Sequence, residues 1–226
     1  MKKQGFTLAE VLITLGIVGV IAAIAMPAFN TNMQSAKIGP QLAKAKADYE
    51  QALMAVLNDA QADTLSDAMV CPSTKPNCNA NERVRLMGNL SDFWYNIGKY
   101  LNGSFDGNWY TTTNGVRYSL ASKINQNATA PIINGIHVHN WLDIDINGNQ
   151  EPNEYARDTF KFALNENGTI LPYGSHATAQ ILVDGKSEHL TDGWWESGAC
   201  QKDVRPGNPE LCAGHIFENG LKAEYK

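Results

Sequence analysis

The chain has 226 residues, enough to bury a core of its own. With 43% hydrophobic and 18% charged residues, it has neither a disordered nor a multi-span membrane composition. The formal net charge is −5, and the part beyond the first 27 residues is still net acidic, which argues against a general nucleic-acid surface.

The chain opens with Lys2 and Lys3, then Gly5-Phe6-Thr7-Leu8-Ala9-Glu10, and carries no further charge until Lys37. The apolar residues 11–29 reach across a ~30 Å hydrocarbon layer at ~1.5 Å per residue. Basic residues ahead of the span set its inner end, so the remainder faces outward. A plain anchor leaves Glu10 unexplained, because a carboxylate one turn into an apolar span costs on the order of several kcal/mol without a partner. Ala23-Ile24-Ala25 has the small-residue pattern of a secretory cleavage site, but Glu10 and the length of the run oppose that reading. A soluble core helix would not be apolar on every side.

Gly5-Phe6-Thr7-Leu8-Ala9-Glu10 resembles the prepilin cleavage and methylation motif of type IV pilins and type II secretion pseudopilins. The resemblance implies a leader of residues 1–5, cut between Gly5 and Phe6 by a membrane prepilin peptidase. It implies N-methylation of Phe6 and a filament-core helix over residues 6–29. It also implies that Glu10 partners the Phe6 amine of a neighbouring subunit, giving the buried acid a buried cation. Its partners would be copies of itself, other pilins or pseudopilins, and an inner-membrane assembly platform.

Residues 30–226 form the outer domain. Leu42, Ala45, Tyr49, Leu53 and Val56 recur at helical spacing, so the helix should continue to about Asp59, kinked or interrupted at Gly39-Pro40. Residues 60–115 read as loop-rich, with a short helix within residues 84–100. From Gly115 the period changes to two, and strands are expected over 116–121, 135–142, 159–164 and 169–172. Beyond residue 184 the expectation is mostly loop with one last strand. Helix first and antiparallel strands afterwards is an α+β fold, with the sheet laid on the helix.

Cys71, Cys78, Cys200 and Cys212 suggest disulfides in an oxidising compartment. Three pairings are open; the local pairs Cys71/Cys78 and Cys200/Cys212 are favoured because each closes a small loop. The run from Asp143 to Glu154 fits the calcium-loop pattern D-x-D-x-N-G-x5-E. Asp143, Asp145, Asn147, Asn149, Glu151 and Glu154 supply spaced oxygens around one hard cation, while Gly148 permits the turn. The run Asp145-x-Asn147-Gly148 through Pro152-Asn153 to Arg157-Asp158 also resembles a segment of many bacterial pilin-like proteins, which usually have glycine where this chain has Ala156. That resemblance adds Asp158 as a ligand candidate, and calcium binding in major pseudopilins gives the role a precedent. A plain Asn-Gly hairpin turn stands as the alternative.

His137 and His139 share one face of a strand, and with His176, His189 or His215 would be the only basis for a membrane-anchored metal-dependent hydrolase. No nucleophile or phosphate-binding motif accompanies them, so no enzyme is expected. The aromatic residues Trp94, Trp109, Trp141, Trp194 and Trp195 suit a core or interface better than an adhesive surface. The sequence therefore reads as a structural subunit of a type IV pilus-like or secretion pseudopilus filament. Its place is the bacterial inner membrane, single-pass, with the outer domain outside the cytoplasm, and then the filament. A surface minor pilin serving adhesion or DNA uptake is the alternative.

Overall fold

The computed structural model describes residues 7–69, 90–120, 132–133, 136–183, 186–189, 200 and 209–223. Helix α1 (Leu8–Ala60) runs 53 residues, about 80 Å at ~1.5 Å per residue. Thr7 starts it with a capping box, and Gln61, in the left-handed region at φ 51°, ends it by donating to Asn58 O and Leu57 O. The expected interruption at Gly39-Pro40 is not there: the helix continues through both residues. Gly39 serves another purpose, because a Cβ on it would lie 1.8 Å from the carbonyl oxygen of Leu221. It admits the C-terminal turn against the helix backbone.

The second half of α1 turns Leu42, Ala45, Tyr49, Ala52, Leu53 and Val56 into the core, each at most 3% exposed. That stripe lies on a seven-stranded antiparallel sheet of β1 (Gly103–Phe105), β2 (Tyr110–Thr112), β3 (Arg117–Leu120), β4 (Ile132–Ile133), β5 (Ile136–Asp145), β6 (Thr159–Asn165) and β7 (Ile170–Pro172). The order is β1-β2-β3-β5-β6-β7, with β4 paired to β5. Alternation sends Tyr118, Leu120, Leu142, Ile144, Phe160, Phe162 and Leu164 to the helix side. Tyr118 bridges the layers by donating its buried hydroxyl to Ala45 O at 2.9 Å. Tyr49 packs on Tyr118 with ring centroids 4.9 Å apart, and Trp94 stacks on Tyr110 at the same separation. Glu50 reaches from the helix to accept the backbone N–H of Ile170 on edge strand β7 at 2.9 Å.

The α+β arrangement is the expected one, and the four expected strands correspond to β3, β5, β6 and β7. The short helix expected within residues 84–100 is α3 (Leu90–Ile97), and the segment read as loop-rich also contains α2 (Leu65–Ala68) and strands β1 and β2. Three-residue strands are too short to show a period of two. Beyond β7 come α4 (His176–Ala179) and the hairpin of β8 (Gln180–Val183) and β9 (Lys186–His189). The tail departs from its expected loop character: α5 (Cys212–Glu218) packs Ala213 and Ile216 into the core. Gly214 lets this helix touch the 174–175 backbone, donating its N–H to Tyr173 O at 2.9 Å.

Substituting Gly39→Ala should destabilise the protein. Overpacking of this kind costs ~1–3 kcal/mol, against a helix-propensity gain of at most ~1 kcal/mol. Denaturant unfolding in detergent checks it, and a midpoint equal to the parent's would show that the 219–221 turn is not held there.

Candidate functional site

Two regions answer to the sequence expectations. In the first, residues 1–6 lie outside the described ones, including the Gly5–Phe6 junction. Thr7 donates both its backbone N–H and its hydroxyl to Glu10 Oε2, each at 2.8 Å, while its hydroxyl oxygen accepts the Glu10 N–H at 3.3 Å. Glu10 is thus a helix-capping acid in the single chain, with Oε1 outside the box. Behind it, Leu8, Val11, Leu12, Ile13, Leu15, Ile17, Val18, Val20, Ile21 and Ile24 are exposed; the most covered, Val11, is still 44% exposed. These positions cover every side of the helix, so no single face is reserved for this chain's own core.

The second region is the loop 146–158 that joins β5 to β6 across the outer face of the sheet. Arg117, Asp145 and Thr159 stand abreast on that face, since Arg117 pairs with Asp145 and Asp145 with Thr159. Asp145 Oδ1 accepts the N–H groups of Asn147 at 3.1 Å and Gly148 at 3.0 Å. Gly148 has φ +71°, and a Cβ there would sit 2.5 Å from Gly115 O. Asp158 closes the loop. Its Oδ1 accepts from Glu154 N at 2.7 Å, and its Oδ2 from Asn153 N at 2.8 Å and Asn147 Nδ2 at 3.2 Å. Asp145 and Asp158 are only 1% and 2% exposed. Burial, seconded by the charge of Asp158, pushes the Asp145 carboxyl up to about 6, against its hydrogen bonds and Arg117, whose Nη1 lies 3.9 Å away. Burial also raises Asp143, which accepts the Tyr155 hydroxyl at 2.9 Å and is partly relieved by Lys161.

The structure therefore gathers Asp145, Asn147 and Asp158, and sets Asp143 on the same strand face. It turns the others elsewhere. Asn149 accepts from Arg117 Nη1, Glu154 pairs with Arg157 at 3.1 Å, and Glu151 is exposed. Among the described residues, no group of three or more His, Cys, Asp or Glu is placed to hold a metal. Residues outside the expected set matter instead, Arg117 and Asn153. With its amide nitrogen inward, Asn153 donates to Gly148 O at 2.9 Å and Asp145 Oδ2 at 3.3 Å. With the amide turned over, its oxygen faces Gly148 O and Asp145 Oδ2 instead. The nitrogen-inward orientation satisfies the amide and makes the loop a hydrogen-bonded turn; the other leaves three oxygens, part of the roughly six to eight that calcium takes.

Ala156 adopts φ +71°, the left-handed conformation that suits the glycine usual at this position in the resembling segment. Its methyl packs with Cys200, Leu211 and Cys212. Cys200 and Cys212 form a disulfide, as the favoured local pairing expects, with Cα atoms 5.5 Å apart. Cys71 and Cys78 lie outside the described residues, as do Trp194 and Trp195, and the side chains of His137, His139 and His189 are likewise not described. His176 pairs with Glu218 at 2.9 Å, and Trp94 is a core residue.

The N-terminal motif and a long helix on an antiparallel sheet are what the resemblance to type IV pilin-like proteins implies. A family profile described as the prokaryotic N-terminal methylation motif matches residues 1–26. A type IV major alpha-pilin of Moraxella bovis is 31% identical over 96 residues, which cover 38% of this chain. The chain spans about 60% of the length of that curated relative. No solved structure matches.

Because the folded Asp145 binds its proton more tightly than the usual 3.8, stability should fall as pH rises through about 6. Asp145→Asn keeps the acceptor for Asn147 and Gly148. With a chelator present it should therefore melt higher than the parent at pH 7 and equally at pH 4. Equal melting at both values would mean that the buried charge is compensated.

Proposed function

We propose that this pilin-type structural subunit is cut between Gly5 and Phe6, methylated at Phe6 and polymerised with other copies through its N-terminal helix into a type IV pilus-like filament. The observation that carries the reading is a helix that, beyond Glu10, is apolar on all sides to residue 24 and continues without a break into a half docked on its own sheet. Such a surface needs lipid before assembly and neighbouring helices after it. Among the described residues no helix is long and apolar enough to cross a membrane. Residues 8–24 reach roughly 26 Å at ~1.5 Å per residue, and inner-membrane anchoring through residue 29 is part of the proposal. Glu10 Oε1 is the oxygen left to receive the Phe6 amine of a neighbour. The reading is structural, with no catalytic role for any residue. The Moraxella relative, a major pilin, favours a pilus over a secretion pseudopilus, which is the second reading.

The same reading assigns calcium to the Asp145 loop, supported by the fit of Asp145 Oδ2, Gly148 O and the turned Asn153 oxygen. Asp158 and Asn147 hold the loop around it. The ion would tie the loop to the end of β5 and cancel the repulsion between two buried carboxylates.

Intact mass of the native protein, from sheared surface material and from membranes separately, tests the processing. A chain beginning at methylated Phe6 in the sheared fraction is expected. The same chain in membranes alone would favour the pseudopilus, and a chain beginning at Met26 would overturn the motif's role.

Calcium should raise the melting temperature of the detergent-held protein, and Asp145→Ala should abolish the rise. Asn153→Asp should keep the rise while lowering stability in chelator, where it removes a donor and adds a third carboxylate. No calcium response in the parent leaves the hydrogen-bonded turn.

A further inference from the structure

We propose that the cleft between Trp109 and Tyr155 on the outer face of the sheet binds a neutral sugar ring. The cleft holds about 330 Å³, room for one pyranose with its first waters. Its floor is built on β3, β5 and β6, whose register fixes Arg117 opposite Asp145 and Asp143 opposite Lys161. Its sides are the two aromatic rings, each steadied by a cation of the chain: Arg117 lies 4.6 Å from the Trp109 centroid, and Lys161 lies 5.3 Å from that of Tyr155. A pyranose offers C–H faces to such rings and hydroxyls to the floor between them.

The polar groups select the ligand class. Arg117 Nε and Asp143 Oδ1 have no hydrogen-bond partner within the described structure, one a donor and the other an acceptor. They are diagonal neighbours on one face, because Arg117 pairs with Asp145 two residues from Asp143. A cation would satisfy Asp143 Oδ1 but leave Arg117 Nε without an acceptor. An anion would satisfy Arg117 but confront two carboxylates. Hydroxyl groups donate and accept at the same atom, so a polyol serves both, with a small rotation of either side chain to open the contact. Asn153, exposed at the rim, adds an amide able to do the same.

The test uses the full chain in a zwitterionic detergent free of sugar headgroups, with a chelator to remove metal-bridged binding. Saturation-transfer NMR is run against glucose, galactose and N-acetylglucosamine. Transfer to at least one is expected, with loss in Trp109→Ala and about tenfold weakening in Asp143→Asn, which keeps an acceptor for Tyr155. Tyr95→Ser, which alters an exposed aromatic elsewhere, should bind like the parent, and circular dichroism confirms that each variant is folded. No transfer to any of the three sugars overturns the proposal, as does parental affinity in both cleft variants.

Discussion

The packing of one helical stripe on one sheet holds the rest of this molecule in place. From Leu42 to Leu57, α1 puts its buried residues against the inner faces of β3, β5 and β6, and Tyr118 pins the layers through Ala45 O. Each fully buried large side chain contributes roughly 1.5–3 kcal/mol of transfer free energy, so this contact is the main stabiliser of the outer domain. Over residues 15–24 the same helix stands clear of the domain and exposes apolar side chains. The sequence divides the two duties by pattern: a period of three and four where a face must be chosen, and apolarity all round where no face is privileged.

The outer side of the sheet follows a different logic. A sheet face turned away from its helix ordinarily meets water, yet here the 146–158 loop covers it and buries Asp145 and Asp158 side by side. Their oxygens are taken up mainly by backbone N–H groups, which fixes the loop at the cost of keeping two acids close together. Arg117 relieves this only in part, being 3.9 Å from Asp145 and also engaged with Asn149 and the Trp109 ring. Ala156, held left-handed against the Cys200–Cys212 disulfide, joins this loop to the C-terminal helix. Loop, disulfide and α5 thus form one packed corner.

Much of the fold was legible because its elements are long enough to show a period. The stripe on α1 and the alternation in β3, β5 and β6 could be read residue by residue. The short strands β1 and β2 and the seven-residue α5 could not, since their burial is settled by neighbours distant in the chain. The loop was legible as a chemical pattern, and its seven candidate residues are local in sequence. Arg117 was not, because only the β3–β5 register carries it to Asp145. Nor did Gly39-Pro40 act as a breaker: there, close approach of Leu221 decides the need for glycine. Glu10 was legible as an acid needing a partner, but not as one that Thr7 already holds.

The unbroken course of α1 has a mechanical meaning. Contact between residues 42 and 57 and the sheet extends over roughly 22 Å parallel to the helix axis. A pull along that axis therefore loads the whole contact in shear, with the Tyr118–Ala45 and Glu50–Ile170 bonds sharing the load. It does not peel the helix off one side chain at a time. Gly39, seated under Leu221 just ahead of this zone, is where tension from the slender N-terminal half first meets the body of the domain. A subunit drawn by its N-terminal end would transmit force as a rod seated in a socket, not as a thread tied to a bead.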